Sequence, residues 1–290
     1  MDQAGTLRSM VGNRDRAEGR DGSGVRVIAV TSGKGGVGKT NVVANLAFAL
    51  ASLNQKKVLV LDADLGLGNL DILLGLAPRH NLTDVIAGRR RIHEIIVEGP
   101  GGMKILPASS GVQEVTDLST GYRANLLTQL DELEQEIDYL LIDTAAGISS
   151  NVTFFTAAAN EIVVVTSPEP TAITDAYALM KVMSRKYGAS RFQLLVNSVK
   201  SEMEAKGVYG KLNSVADRFL NITIHYLGFI QHDPTVAKAV REQRAIAEKY
   251  PGSPASLCFK RLARQFLQKD RQVVPDGNIK FFWKRIFQVA

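Results

Sequence analysis

Eight consecutive residues near the start of the chain, Gly33-Lys34-Gly35-Gly36-Val37-Gly38-Lys39-Thr40, have the types and spacing for phosphate chemistry. They follow the apolar run VRVIAVT and precede a segment of helical periodicity, the context in which GxxxxGK[ST] binds a nucleotide. Glycines let successive backbone N–H groups turn inward around phosphate oxygens, and a helix starting near Gly38 adds the positive end of its dipole. In that arrangement Lys39 reaches the β and γ phosphates and Thr40 holds Mg²⁺. Lys34 is an extra lysine that one nucleotide does not require. Close to Lys39 it costs like-charge repulsion unless an anion lies nearby.

Carboxylates stand where such a loop needs them. Asp62 and Asp64 end the second apolar run, KKVLVLD, on the side of an open α/β sheet that binds ligands. Asp143 ends DYLLID, the usual place of a carboxylate that holds Mg²⁺ through water. Gly147, four residues on, lets the backbone swing toward the γ-phosphate, so the segment is expected to sense nucleotide state. His80, His93, His225 and His232 are scattered without ligand spacing, and Cys258 is the only cysteine. Zinc, iron-sulfur and disulfide chemistry are therefore not expected.

The elements that position these groups follow from periodicity. Short β-branched runs (VRVIAVT, KKVLVLD, MKILPA, DYLLID, EIVVVTS, FQLLVN, ITIHYLGFI) read as buried strands. They alternate with helical segments at 41–53, 122–135, 171–187, 206–220 and 255–268. The expected fold class is α/β, a doubly wound, mostly parallel sheet with helices on both faces. Residues 9–24 are rich in Gly, Arg and Asp and read as a linker. The organisation is a flexible arm at 1–24, a P-loop domain at 25–274, and a linker with a C-terminal helix at 275–290. No run is long and apolar enough to span a bilayer, and the N-terminus does not look like a signal peptide, so a cytoplasmic protein is expected. The net charge of +6 is concentrated: 259–290 hold eight Lys or Arg against two Asp, and the rest is balanced. Such a terminus seeks an acidic surface.

KGGVGKT resembles the deviant Walker A loop of the MinD/ParA class of ATPases, and the resemblance covers nearly the whole chain. It implies ATP and Mg²⁺ as cofactors and an ATP-dependent homodimer in which Lys34 reaches the phosphates of the opposite subunit. By the same resemblance, Asp64 orients the attacking water, Asp62 belongs with Thr40 and Asp143 to the Mg²⁺ shell, and Asn69 faces the dimer interface. The implied catalytic set is Asp64, Lys34 and Lys39. Asn197 matches an adenine-binding asparagine, and 228–233, ending at Asp233, matches a loop flanking the base. The guanine-selecting NKxD pattern is absent, which favours ATP over GTP. Where the family often has DxPAG, this chain has Asp143-Thr144-Ala145-Ala146-Gly147.

Both termini carry further signals. NIKFFWKRIFQVA, residues 278–290, places Ile279, Phe282, Trp283, Ile286 and Phe287 on one helical arc, with Lys280, Lys284 and Arg285 on the other side. This is the pattern of a helix lying in an anionic membrane interface, and it resembles the targeting tail of MinD. Docking of the stripe on the chain's own domain is the alternative. Asp2, Gln3, Ala4, Leu7 and Arg8 form DQAxxLR, which resembles the partner motif of the flagellar-number regulators FlhG and FleN. That resemblance implies an FlhF-type GTPase as partner, with a flagellar transcriptional activator or switch-complex protein as further candidates. The expected function is an ATP-hydrolysing spatial regulator, alternating between cytosolic monomer and membrane-bound dimer, that controls flagellar number or placement. Alternatives are a ParA-type DNA-partitioning ATPase and a MinD-type division-site regulator. The apolar tail face argues against direct nucleic-acid binding, since that contact needs Lys and Arg but gains little from Phe, Trp and Ile.

Overall fold

The computed structural model describes residues 25–66, 68–108, 129–130, 132–133 and 136–270, with side chains to 268. The arm and its motif at 2–8, the tail residues 279–287 and most of the helix expected at 122–135 lie outside them.

The described strands are β1 (Arg26–Ser32), β2 (Val58–Ala63), β3 (Val97–Glu98), β4 (Lys104–Leu106), β5 (Tyr139–Ala146), β6 (Glu161–Thr166), β7 (Arg191–Val199) and β8 (Thr223–Gln231). They form one sheet in the order β3-β4-β2-β5-β1-β6-β7-β8. All pairs are parallel except β3 with β4. The helices are α1 (Lys39–Asn54), α2 (Leu70–Leu73), α3 (Leu82–Ile86), α4 (Ile92–Ile95), α5 (Ser150–Ala158), α6 (Pro170–Tyr187), α7 (Glu202–Phe219), α8 (Pro234–Arg241), α9 (Ile246–Lys249) and α10 (Pro254–Asp270).

Alternation along each strand divides the core. Ile28, Val30, Val60, Leu141, Val163 and Leu195 face α1, α9 and α10. Val27, Ala29, Leu61, Leu140 and Ile142 face α3, α4 and α5, and Val164, Leu194 and Val196 face α6 and α7. Period-two alternation between two buried faces makes these strands read as continuous apolar runs. Helix α1 is buried almost all round, because the sheet covers one side and Phe259, Leu262 and Phe266 of α10 pack with the other.

Five differences from the sequence reading have physical causes. β3 has only two residues, too short for a periodic signal. α5 is capped by Ser149, whose hydroxyl accepts from the Val152 N–H, but its Ser, Asn and Thr content hides it. α8 turns Val236 and Ala239 to the core but has only eight residues, and its start is set by its cap, Asp233, and the proline at its first position. β5 runs three residues past Asp143, where Ala145 and Ala146 replace the proline pattern and Ala146 pairs with Ser32 beyond a register shift. β8 includes residues 228–231, as the run ITIHYLGFI implies, so the loop that the resemblance implied over 228–233 is confined to its end.

Candidate active site

β1 delivers the chain into a tight loop over 33–38. Gly33 passes so close to α6 that a Cβ there would lie 2.1 Å from the Asp175 carbonyl oxygen. Gly36 and Gly38 have φ of +80° and +86°, a region that disfavours side chains. Gly38 is doubly constrained, because a Cβ would meet the Asn197 amide nitrogen at 2.3 Å. That nitrogen donates to the Val37 carbonyl at 2.7 Å, so Asn197, at the end of β7, braces the loop from below. A Cβ on Gly35 or Gly36 would meet nothing within 4 Å, which leaves that side of the loop open.

Behind the loop lies a buried charge cluster. Lys39 Nζ donates to Asp143 Oδ1 at 2.8 Å, with side-chain exposures of 9% and 2%. The Thr40 hydroxyl hydrogen-bonds to the same carboxyl, and burial raises its pKa against the opposing pull of Lys39. Asp62 and Asp143 are register partners on the adjacent strands β2 and β5. Burial, and next the charge of Asp143, push the Asp62 carboxyl up to about 8. Two adjacent buried acidic groups, one of them paired with a lysine, favour an additional cation in a poor dielectric, and Mg²⁺ needs only one or two protein carboxylates when phosphates and water complete its shell. Thr40, Asp62 and Asp143 fit that requirement. Among the described residues no cluster of three or more His, Cys, Asp or Glu suited to a metal without phosphate occurs.

Two segments border the cluster. After β2, the Asp64 N–H donates to Asp62 Oδ1 at 3.1 Å and the Leu70 N–H to Asp62 Oδ2 at 3.3 Å. Asp64 and Leu70 are therefore both tied to the Asp62 carboxylate. Gly68 is pressed against it, with a hypothetical Cβ 2.9 Å from Asp62 Oδ2. Asn69 is exposed at the start of α2. After β5, Gly147 has φ +92° and donates its N–H to the Ser32 carbonyl at 2.9 Å, which joins this segment to the root of the phosphate loop.

Lys34 points elsewhere. Its Nζ lies 2.6 Å from Glu169 Oε2 and 2.9 Å from Thr171 Oγ1, at the start of α6. Both charged groups are accessible, at 37% and 65%. Sequence reasoning singled out Lys34 but missed Glu169 and Thr171; the signal was the Glu-Pro-Thr at a helix start. Asp233 serves as the cap of α8: Oδ1 accepts from the Thr235 N–H at 2.9 Å, and Oδ2 from the Ala255 N–H at 3.2 Å. These bonds lower its pKa, although its burial opposes them. Nearby, Ser198 Oγ lies 3.0 Å from His232 Nδ1. Cys258 is buried in the core. Among the described residues no helix is long and apolar enough to cross a membrane.

A cradle of backbone, a buried lysine and two carboxylates have the chemistry to bind and polarise a phosphate chain. Comparison with known proteins gives the family. A family model described as an AAA domain matches residues 25–194. The antiactivator FleN of Pseudomonas aeruginosa is 47% identical over 264 residues, 91% of this chain and 94% of that protein. The flagellum site-determining protein YlxH of Helicobacter pylori is 32% identical over 291 residues, 99% of this chain and 98% of that one. Among solved structures, the septum site-determining protein MinD complexed with Mg-ADP from Pyrococcus horikoshii superposes with a TM-score of 0.63 at 25% identity, covering 83% of this chain and 96% of that chain.

Proposed function

This chain belongs to the MinD-like P-loop ATPases of the FleN and FlhG kind, and from that premise we propose that it is a nucleotide-driven regulator of flagellar number or placement. The observation that carries the proposal is the buried Lys39–Asp143 pair beside Asp62, beneath a loop whose glycines leave one side open. Lys39 and the backbone of 33–40 would bind the phosphates, and Thr40, Asp62 and Asp143 would hold Mg²⁺, which supplies charge neutralisation when bound. Asp64, set beside Asp62 through its own N–H, would orient the attacking water. Hydrolysis then rests on positioning and electrostatics. Asn197 and the turn at Asp233 would border the adenine.

In this reading Lys34 leaves Glu169 and Thr171 to reach the phosphates of a second copy, so ATP assembles a homodimer, with Asn69 and Gly147 at its interface. The dimer presents two copies of the tail carrying Ile279, Phe282, Trp283, Ile286 and Phe287 with Lys280, Lys284 and Arg285. One short amphipathic helix binds lipid weakly, and two joined helices bind much better. Attachment to the inner face of the cell membrane then follows the nucleotide. The motif Asp2-Gln3-Ala4-Leu7-Arg8 would engage an FlhF-type GTPase, and the FleN relative, named an antiactivator, supports a transcriptional activator as a further partner. Sedimentation with anionic liposomes tests the membrane step. Binding in ATP and Mg²⁺ but not in ADP, lost on truncation after Gly277, is the expected result. Equal binding in both nucleotides, or none in either, contradicts it.

A further inference from the structure

We infer that Gln243 is a positioning residue for hydrolysis, which fixes α2 and through it the loop that carries Asp64; the inference rests on the ATPase reading above. Helix α2 has four residues, too few to stand alone. At its start the Leu70 N–H is tied to Asp62. At its other end the Ile72 carbonyl accepts a 3.0 Å hydrogen bond from Gln243 Nε2, a residue 171 positions further along the chain.

The backbone at Gln243 shows that this contact is specific. Gln243 follows α8 with φ of 53°, the left-handed conformation that glycine ordinarily supplies after a helix. Here the position keeps a side chain, and its amide is spent on α2. Space for it comes from Gly75, φ +66°, where a Cβ would lie 3.2 Å from the Gln243 carbonyl oxygen and 3.3 Å from its Cβ.

The segment that carries Gln243 is itself anchored to the phosphate-loop helix. The Ala247 N–H donates at 3.0 Å to Oδ1 of Asn45, a fully buried residue of α1, and Asn45 Nδ2 donates to the Asn41 carbonyl at 2.8 Å. Ser256 Oγ adds a bond to the Ile246 carbonyl at 3.1 Å. A continuous path thus runs from the helix of Lys39 and Thr40, through Asn45, Ala247 and Gln243, to Ile72 and the segment around Asp62 and Asp64. Gln243 sets the distance between the phosphate loop and the segment that carries the water-orienting carboxylate. Errors of about an ångström in such a distance reduce rate by up to roughly a hundredfold without touching ground-state binding.

The test uses the full chain and phosphate release from Mg-ATP, with Gln243→Ala, Gln243→Glu and Gln243→Gly. Glutamate keeps the shape and removes the donor. Glycine removes the donor and relieves the left-handed backbone, so it alone is expected to hold or raise Tm while slowing turnover. All three are expected to lower kcat about tenfold, with KM for ATP and affinity for ADP changed by less than about twofold. An unchanged kcat in Gln243→Glu and Gln243→Gly, or a fall that tracks KM or Tm, overturns the inference. Failure of the ATPase reading looks different: the wild type itself releases no more phosphate than Asp64→Ala, and that result overturns both.

Discussion

Lys39 Nζ stands 2.8 Å from Asp143 Oδ1, and almost nothing of either side chain reaches water. The pair stores a cation beside two acidic groups until a phosphate chain arrives. Removing one partner of a buried pair costs about 3–5 kcal/mol, whereas replacing both is close to neutral. Lys39→Met is therefore expected to lower Tm and to weaken ADP binding by roughly a hundredfold or more. Lys39→Met with Asp143→Asn is expected to regain most of the Tm and none of the binding. Thermal melts and nucleotide titration of the single and double variants check this; binding retained in either removes Lys39 from the site.

Asp62 makes the nucleotide-free protein sensitive to pH. Its carboxyl is pushed up to about 8 from an ordinary value of 3.8, so the fold holds a proton that the unfolded chain has released. The stabilisation is complete below the unfolded value and is lost as pH rises through the folded one. Asp62→Asn mimics the protonated form at every pH. Its Tm advantage over wild type is expected to widen from about pH 4 to about pH 8 and then level off. A constant gap across that range contradicts the assignment.

Much of this was legible in the residues. GKGGVGKT located the loop because its glycines have one physical use there, and the β-branched runs gave the strands that carry Asp62, Asp143 and Asn197. What escaped were features that depend on distant partners. Glu169 and Thr171 meet Lys34 across more than a hundred residues. Gln243 is unremarkable in sequence until Ile72 is beside it. α5 depends on its cap more than on apolar periodicity, and α8 has only eight residues, so a search for periodicity passes over both. Pairing of β8 with β7 includes a register shift at Leu194/Leu195, which no local signal announces.

The terminal motif makes a separable prediction. Deleting residues 2–8 is expected to leave basal ATP hydrolysis unchanged, since every group assigned to the chemistry or its positioning lies within 33–256. The same deletion is expected to abolish stimulation of an FlhF-type GTPase. GTP turnover by that partner, measured with the full and shortened chains, is the check. Stimulation that survives the deletion contradicts the role of Asp2, Gln3, Ala4, Leu7 and Arg8.

In the proposed switch Lys34 exchanges its contacts with Glu169 and Thr171 for the phosphates of a second copy. Sedimentation velocity on the Asp64→Ala chain measures this most directly, because slowed hydrolysis holds the ATP state in place. The expected result is a dimer in Mg-ATP, a monomer in Mg-ADP, and a monomer in both once Lys34→Ala is added, with ATP still bound. Identical sedimentation in ATP and ADP, or a dimer that persists without Lys34, contradicts the switch.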